Sequence, residues 1–320
     1  MLPKPAIYRP FLSGKYSVAP GLHALETDFG NGSADQHIFQ LDEQYNHFRD
    51  NKDSCRRERI EKYYVRAREL ATTQIEIARF IAHHLATEYP DYFMFSESEN
   101  GCKLANRLTE TQLQWDKENN RLENLVYQSV LDALADQVPE DLAIWQKTDG
   151  GDYISTIHLC SPNHWSPTEK VGKPFSLVHQ PVAEMEQLRL RYQLMLDSLL
   201  RPNTWVRLAW GLSTDQRLNH HPEPPSGMLE AEWKGRSFNR KNPKLFVRME
   251  RQTLTGFPET QAVLFTIRTY FTDTRKLQKN ELLALIEAIQ SMSEASLRYK
   301  SLLASRDQII DWLTSRTSLL

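Results

Sequence analysis

Cysteine is scarce in this 320-residue chain: Cys55, Cys102 and Cys160 are the three, widely spaced and with no CxxC pair. That excludes a disulfide framework and argues against an all-cysteine zinc or iron–sulfur site. Excess charge is also lacking, since 39 Lys and Arg stand against 41 Asp and Glu, a formal net charge of −2. A chain this near neutrality has no global pull on nucleic acid or anionic lipid, so neither partner is expected. Mean hydropathy is −0.57, and no apolar run approaches the ~20 residues needed to span a bilayer. The opening MLPKPAIYRPF lacks the apolar core of a signal peptide. A soluble, cytoplasmic protein is the expectation. Neither GxGxxG nor the phosphate-binding GxxxxGKS/T is present, which argues against a Rossmann dehydrogenase or a P-loop NTPase.

What is there reads as α+β. Residues 1–50 hold Pro3, Pro5, Pro10 and Pro20, yet also Tyr8, Phe11, Tyr16, Phe29, Phe39, Tyr45 and Phe48. Disordered tails are poor in aromatics, so this predicts an arm packed on the body. Helical spacing runs over 54–89, closed by Pro90, and again over 119–136, where it includes Leu122 and Leu125. Residues 142–148 and 153–160 flank Asp149-Gly150-Gly151-Asp152 and predict a hairpin. A Pro-rich stretch, 161–182, precedes a helix over 183–200 that carries Met185 and Leu188. Strands follow at 205–212, 244–254 and 262–271, the first two separated by a long polar loop at 213–243. Helices over 279–291 and 294–313 close the chain. The economical arrangement is one five-stranded antiparallel sheet, PAS-like, with the N-terminal and C-terminal helices packed around it. The expected organisation is an arm and helices at 1–138, a PAS-like core at 139–275 and C-terminal helices at 276–320.

The densest chemistry lies between His158 and Val182, where His158, Cys160, His164, Trp165 and His179 crowd together. Histidine ligates zinc or haem iron through a neutral ring nitrogen and also serves as acid or base. Strand alternation puts His158 with Ile154 and Thr156, where a polar-face histidine is the simpler account. His164 precedes Trp165 in a turn. His179 follows Phe175, Leu177 and Val178 and precedes Gln180-Pro181, a segment end with apolar neighbours. That setting suits a haem ligand, and a buried structural histidine would look the same. Cys160 can ligate haem as a thiolate or simply fill space as a small apolar group. On 244–254, Arg248, Glu250 and Gln252 share one face and Met249, Arg251 and Thr253 the other, while Thr266, Arg268 and Tyr270 share a face of the next strand. Guanidinium forks suit carboxylates, including haem propionates, and a cross-strand ladder of ion pairs accounts for them equally.

Together these segments resemble a known family. The runs His158-Leu-Cys160-Ser-Pro162-Asn-His164-Trp165, Glu169-Lys170-Val-Gly172-Lys173, Val178-His179-Gln-Pro181-Val182, Arg248-Met-Glu250-Arg251-Gln252-Thr253-Leu254 and Phe265-Thr-Ile-Arg268-Thr-Tyr270 are similar to the haem-dependent oxidative N-demethylase alpha-subunit-like family. The similarity spans roughly Tyr8 to Tyr299. It implies haem b in a PAS-like pocket and O₂-dependent demethylation of a small amine, with electrons from separate flavin and iron–sulfur reductase subunits. It also implies His179 as the axial ligand, with His158, His164 and Cys160 as alternatives. Arg248, Arg251, Arg268 and Trp165 would hold the cofactor, Glu250 would orient an amine or relay protons, and His158 would assist the oxygen step. The Cys-Ser-Pro-Asn-His-Trp run departs from the shorter Pro-Ser-x-Trp form of the demethylase, so the amine specificity is not carried over. A PAS-type haem or small-molecule sensor without turnover is the alternative from another class, and a haem-free protein using the 158–179 cluster is the third.

Overall fold

The computed structural model describes all residues except 19–20, 100, 119, 124–125, 181–185, 235–236 and 319–320, and omits the side chains of 186–191 and 234. Leu125, Pro181, Val182 and Met185 therefore lie outside the described residues, as does the side chain of Leu188. Ten strands are present among those described: β1 (His23–Ala24), β2 (Tyr64–Arg66), β3 (Phe93–Ser98), β4 (Gly101–Asn106), β5 (Thr111–Trp115), β6 (Asp141–Thr148), β7 (Gly151–His158), β8 (Thr204–Ser213), β9 (Phe246–Phe257) and β10 (Ala262–Asp273). Seven form one antiparallel sheet in the order β1-β8-β9-β10-β6-β7-β2, and β3-β4-β5 form a second. The fold is α+β, but it is not the five-stranded PAS-like sheet expected. The five anticipated strands occupy the centre of a seven-stranded sheet, short strands extend both its edges, and a separate three-stranded sheet accompanies it.

Three helical expectations also change. Instead of one helix over 54–89 there are two, Tyr45–Tyr63 and Ala71–Glu88. Between them β2 pairs with β7 through Val65 and Ile157, and Arg68 adopts φ 51°, which no helix accommodates. The helix expected over 119–136 is confined to Val130–Ala135, where the Ser129 side chain accepts from the Asp132 N–H as an N-cap. The helix expected over 294–313 is two, Glu294–Tyr299 and Arg306–Thr317, parted near Ser301 at φ 57°. No helix among the described residues is long and apolar enough to cross a membrane.

The two faces of the large sheet bury different parts of the chain. One face packs Leu142, Ile144 and Leu264 against Ile77, Ile81 and Leu85 of helix Ala71–Glu88 and against Ile38, Phe39 and Leu41 of the arm. Each fully buried aliphatic side chain there contributes about 1.5–3 kcal/mol. Further along the same face, Val247, Met249 and Tyr270 meet Tyr8 and Phe11 and the C-terminal helices. The crossover between β7 and β8, which contains helices Phe175–Val178 and Glu186–Leu199, covers the opposite face. Where it leaves the sheet it passes so close to β9 that a Cβ on Gly256 would lie 2.2 Å from the carbonyl oxygens of Leu199 and Arg201. Only glycine permits that approach.

Candidate functional site

Residues directly opposed in an antiparallel sheet share a face, so the register determines which side chains meet beneath the crossover. Glu250 lies between Ala209 and Thr269, Gln252 between Arg207 and Ile267, and Leu254 opposite Phe265, which in turn opposes Ala143. All stand on inner strands, where side chains are ordinarily closed off. Ala143, Arg207, Ala209, Glu250, Leu254 and Phe265 nevertheless keep accessible surface. They outline a face that is apolar toward Leu254 and charged toward Glu250. Trp165, Val171 and Val178 of the crossover pack onto it beside Phe265 and Ile267, and Leu199 and Leu200 close one end against Trp145, Trp205 and Val263.

His179 sits at the C-terminal end of helix Phe175–Val178. Its Nδ1 lies 3.1 Å from the Phe175 carbonyl oxygen, which can only accept, so Nδ1 carries the proton. Nε2 is thereby left with its lone pair and makes no hydrogen bond among the described residues. The ring is held in orientation by stacking on Phe175, 4.0 Å between centroids, and more distantly on Trp145. Burial is the main cause that lowers its pKa to about 4, and Lys170 and Arg207 push the same way. The imidazole is therefore neutral at physiological pH and oriented as metal-ligating histidines usually are.

Other residues anticipated from sequence are distributed more widely. Trp165 packs on this face beside Phe265 and Ile267, and the Lys170 ammonium lies 3.8 Å from its ring centre. Glu250 is there too, accepting from Gln252 Nε2 at 3.0 Å and lying 3.7 Å from Arg248 Nε. The rest of the Arg248 fork is spent on the Ser161 and Leu218 carbonyls and His220 Nδ1. It pins the first part of the 213–243 loop to the turn after β7. His164 stacks on His220 at 5.1 Å in that same turn, away from the apolar floor.

Arg251, Arg268 and His158 are not brought to this face. By register they project from the opposite one, where Arg251 donates to the carbonyls of His37 and Ile38 and Arg268 pairs with Asp42 at 2.7 Å. Their ligand-anchoring role is replaced by a structural one: both tie the N-terminal arm to the sheet. His158 is fully enclosed, its Nε2 3.2 Å from Asp132, which also receives a bidentate fork from Arg56. Asp141, His158 and Cys160 bring donor atoms within 4.8 Å of one another. Two of the three are committed elsewhere, because the Asp141 carboxylate accepts the N–H groups of Cys160 and Ser161 and His158 Nε2 faces Asp132, while the Cys160 Sγ lies 4.0 Å from His158 Nδ1.

That buried pair carries a pH signature. Burial opposes the charged form of both partners, yet hydrogen bonds from His158 and Arg56 hold Asp132 below the usual carboxylate range. Burial is likewise outweighed at His158, by Cys160 and Asp132 together, and its pKa is raised to about 9. Cys160 is itself pushed up by burial and stays a thiol, so Asp132 is the anion that holds the imidazolium. A raised histidine stabilises fully below its unfolded value and loses that contribution as pH rises through the folded one. The stability advantage of wild type over His158→Gln is therefore expected to be greatest near about pH 6 and to shrink toward about pH 9. Thermal unfolding across that range checks this, and a constant gap would refute it.

Residues 31–310 match the family described as haem-dependent oxidative N-demethylase, alpha subunit-like. The chain belongs to that family. A haem-dependent demethylase subunit needs apolar walls for the macrocycle, a neutral ligand atom for the iron and cations for the propionates. The residues present fit. Phe265, Leu254, Ala143 and Trp165 are apolar, His179 Nε2 is unprotonated, and Arg207, Lys170 and Lys300 bring positive charge to the same face. The sequence patterns assign no site role to Arg207, Lys170 or Lys300. Arg207 carries a signal in sequence nonetheless: it is a lone charge inside the apolar run Trp205-Val-Arg-Leu-Ala-Trp210, tolerable only if its face meets water, a partner or a ligand.

Proposed function

We propose that this protein holds haem b between the crossover and the sheet face that carries Glu250 and Phe265, where His179 Nε2 would ligate the iron. In this reading it acts as the oxygen-activating subunit of an oxidative N-demethylase that takes a small amine as substrate. The carrying observation is His179 itself: a neutral ring with Nδ1 committed to a carbonyl and Nε2 left available beside an apolar floor. Attachment would be non-covalent, because the sequence contains no CxxCH. Haem bound there would supply the one-electron and O₂ chemistry that oxidative demethylation requires. The chain's own contribution is to exclude water with Phe265, Val178 and Trp165, to fix the ligand ring with Phe175, and to set the charge around the site with Glu250 and its cations. Three cysteines cannot furnish a four-cysteine cluster, so electrons would arrive from a separate flavin and iron–sulfur partner.

The first test is optical. Adding haemin to the purified protein is expected to give a stoichiometric, red-shifted Soret band that moves again on reduction with dithionite. A flat titration from protein that unfolds cooperatively would overturn the proposal.

A further inference from the structure

The sheet face beneath the crossover carries more positive charge than the protein neutralises. Lys170 reaches it from the crossover and Arg207 from the middle of β8. Lys300 arrives from the turn after helix Glu294–Tyr299 and lies flat over Gly211, its Nζ 3.8 Å from where a Cβ would stand. All three feel the same carboxylate, Glu250, as the leading influence opposing their burial. Glu250 is already shared with Arg248. Glu169 is a second acid near Lys170, at the exposed rim, where it bonds to Ser166. Among the described residues, none of Lys170, Arg207 and Lys300 forms an ion pair, and the Nε of Arg207 is buried without any partner. Three cations sharing one partly accessible carboxylate with Arg248, which also draws on Asp141 and Asp215, are an arrangement that folding alone does not favour, since an unpaired buried charge is costly. A dianionic ligand would bring the balance close to even.

We infer that Arg207 and Lys300, with Lys170 beside them, receive the two propionate carboxylates of the haem. This rests on the haem reading above and takes the place of Arg248, which bonds to Ser161, Leu218 and His220, and of Arg251 and Arg268, which project from the opposite face. It also makes the C-terminal segment, through Lys300, part of the pocket.

Titrating two porphyrins into two proteins tests the assignment: haemin and haemin dimethyl ester, whose propionates are blocked, into wild type and into Arg207→Gln/Lys300→Gln. Wild type is expected to bind haemin about a hundredfold more tightly than the ester, and the double variant to bind both about equally, because each charge-assisted contact is worth about tenfold or more. Arg207→Lys should retain most of the preference. The apo double variant should melt no lower than apo wild type, since it loses two unpaired cations, and that keeps a folding defect from imitating the result. A wild type indifferent to esterification, or a double variant with the preference intact, would overturn the inference while leaving haem binding in place. Failure of both porphyrins to shift the Soret band of wild type would instead remove the haem reading, and this inference with it.

Discussion

His179→Ala is expected to weaken haem retention by a hundredfold or more while leaving the apo fold nearly untouched. Disturbing even the groups that orient a ligating histidine typically costs about 10–100-fold in metal affinity, and here the ligand atom itself would go. The fold should tolerate the change because His179 ends a four-residue helix and, among the described residues, its side chain bonds only to the Phe175 carbonyl within that turn. Apo wild type and variant should therefore unfold within a few degrees of each other, whereas the melting temperature gained on adding haemin should largely disappear. Exogenous imidazole, which can enter the space left by the side chain, should restore the wild-type spectrum. Phe175→Ala offers an intermediate case: it removes the ring that stacks on His179 at 4.0 Å and should loosen haem by about tenfold. A His179→Ala protein with an unaltered Soret band would show that another residue is the ligand. The geometry makes that outcome hard to reach, since His158 and Cys160 are enclosed within the network formed with Asp132 and Asp141. His164 is stacked on His220 instead.

The difference between His179 and His158 shows how far a sequence carries such an argument. Both are histidines in one motif-rich stretch, and alternation sets His158 on the face of Thr156 but not, because the register shifts between Ile144 and Trp145, on that of Ile154, which packs with Ile157. What alternation cannot supply is which face is covered by which part of the chain. That depends on where the crossover and the arm land, a tertiary fact. The same gap separates Arg248 and Glu250, which turn toward the crossover, from Arg251 and Arg268, which turn toward the arm; period two distinguishes the pairs but not their destinations. Strands β6 to β10 are legible because they are long and their apolar residues alternate. The β3-β5 sheet is not, because its strands are five or six residues long and interleave Ser96, Glu97, Lys103, Gln112 and Gln114 with their few apolar positions. Strand β2 is hidden for another reason. Tyr63, Tyr64 and Ala67 continue the helical spacing of their neighbours, and only pairing with β7 makes the segment extended.

Arg268 leads to the largest expected loss of stability. It is completely buried, it lies 3.7 Å over the Phe48 ring, and its ion pair is with Asp42 of the arm, itself almost fully enclosed. Burial opposes the guanidinium charge, but Tyr270, Asp42 and Glu140 together keep its pKa above the ordinary value. Its Nε and Nη1 have no partner, so little remains to compensate the charge once Asp42 is gone. Asp42→Asn preserves the shape and removes the anion, and it is expected to cost about 3–5 kcal/mol, the usual penalty for leaving half of a buried pair. The double variant Asp42→Asn/Arg268→Met should recover most of that loss, because an apolar side chain of similar length needs no counter-ion. Denaturant unfolding of the wild type, both single variants and the double variant closes the cycle. Additive losses would show that the two residues act independently and that the arm is held by its aromatics instead. Because the pair projects from the face opposite His179 and Glu250, the variants that remain folded should still bind haemin as wild type does. Stability and cofactor affinity would then fall on separate faces of one sheet, as the register of β9 and β10 requires.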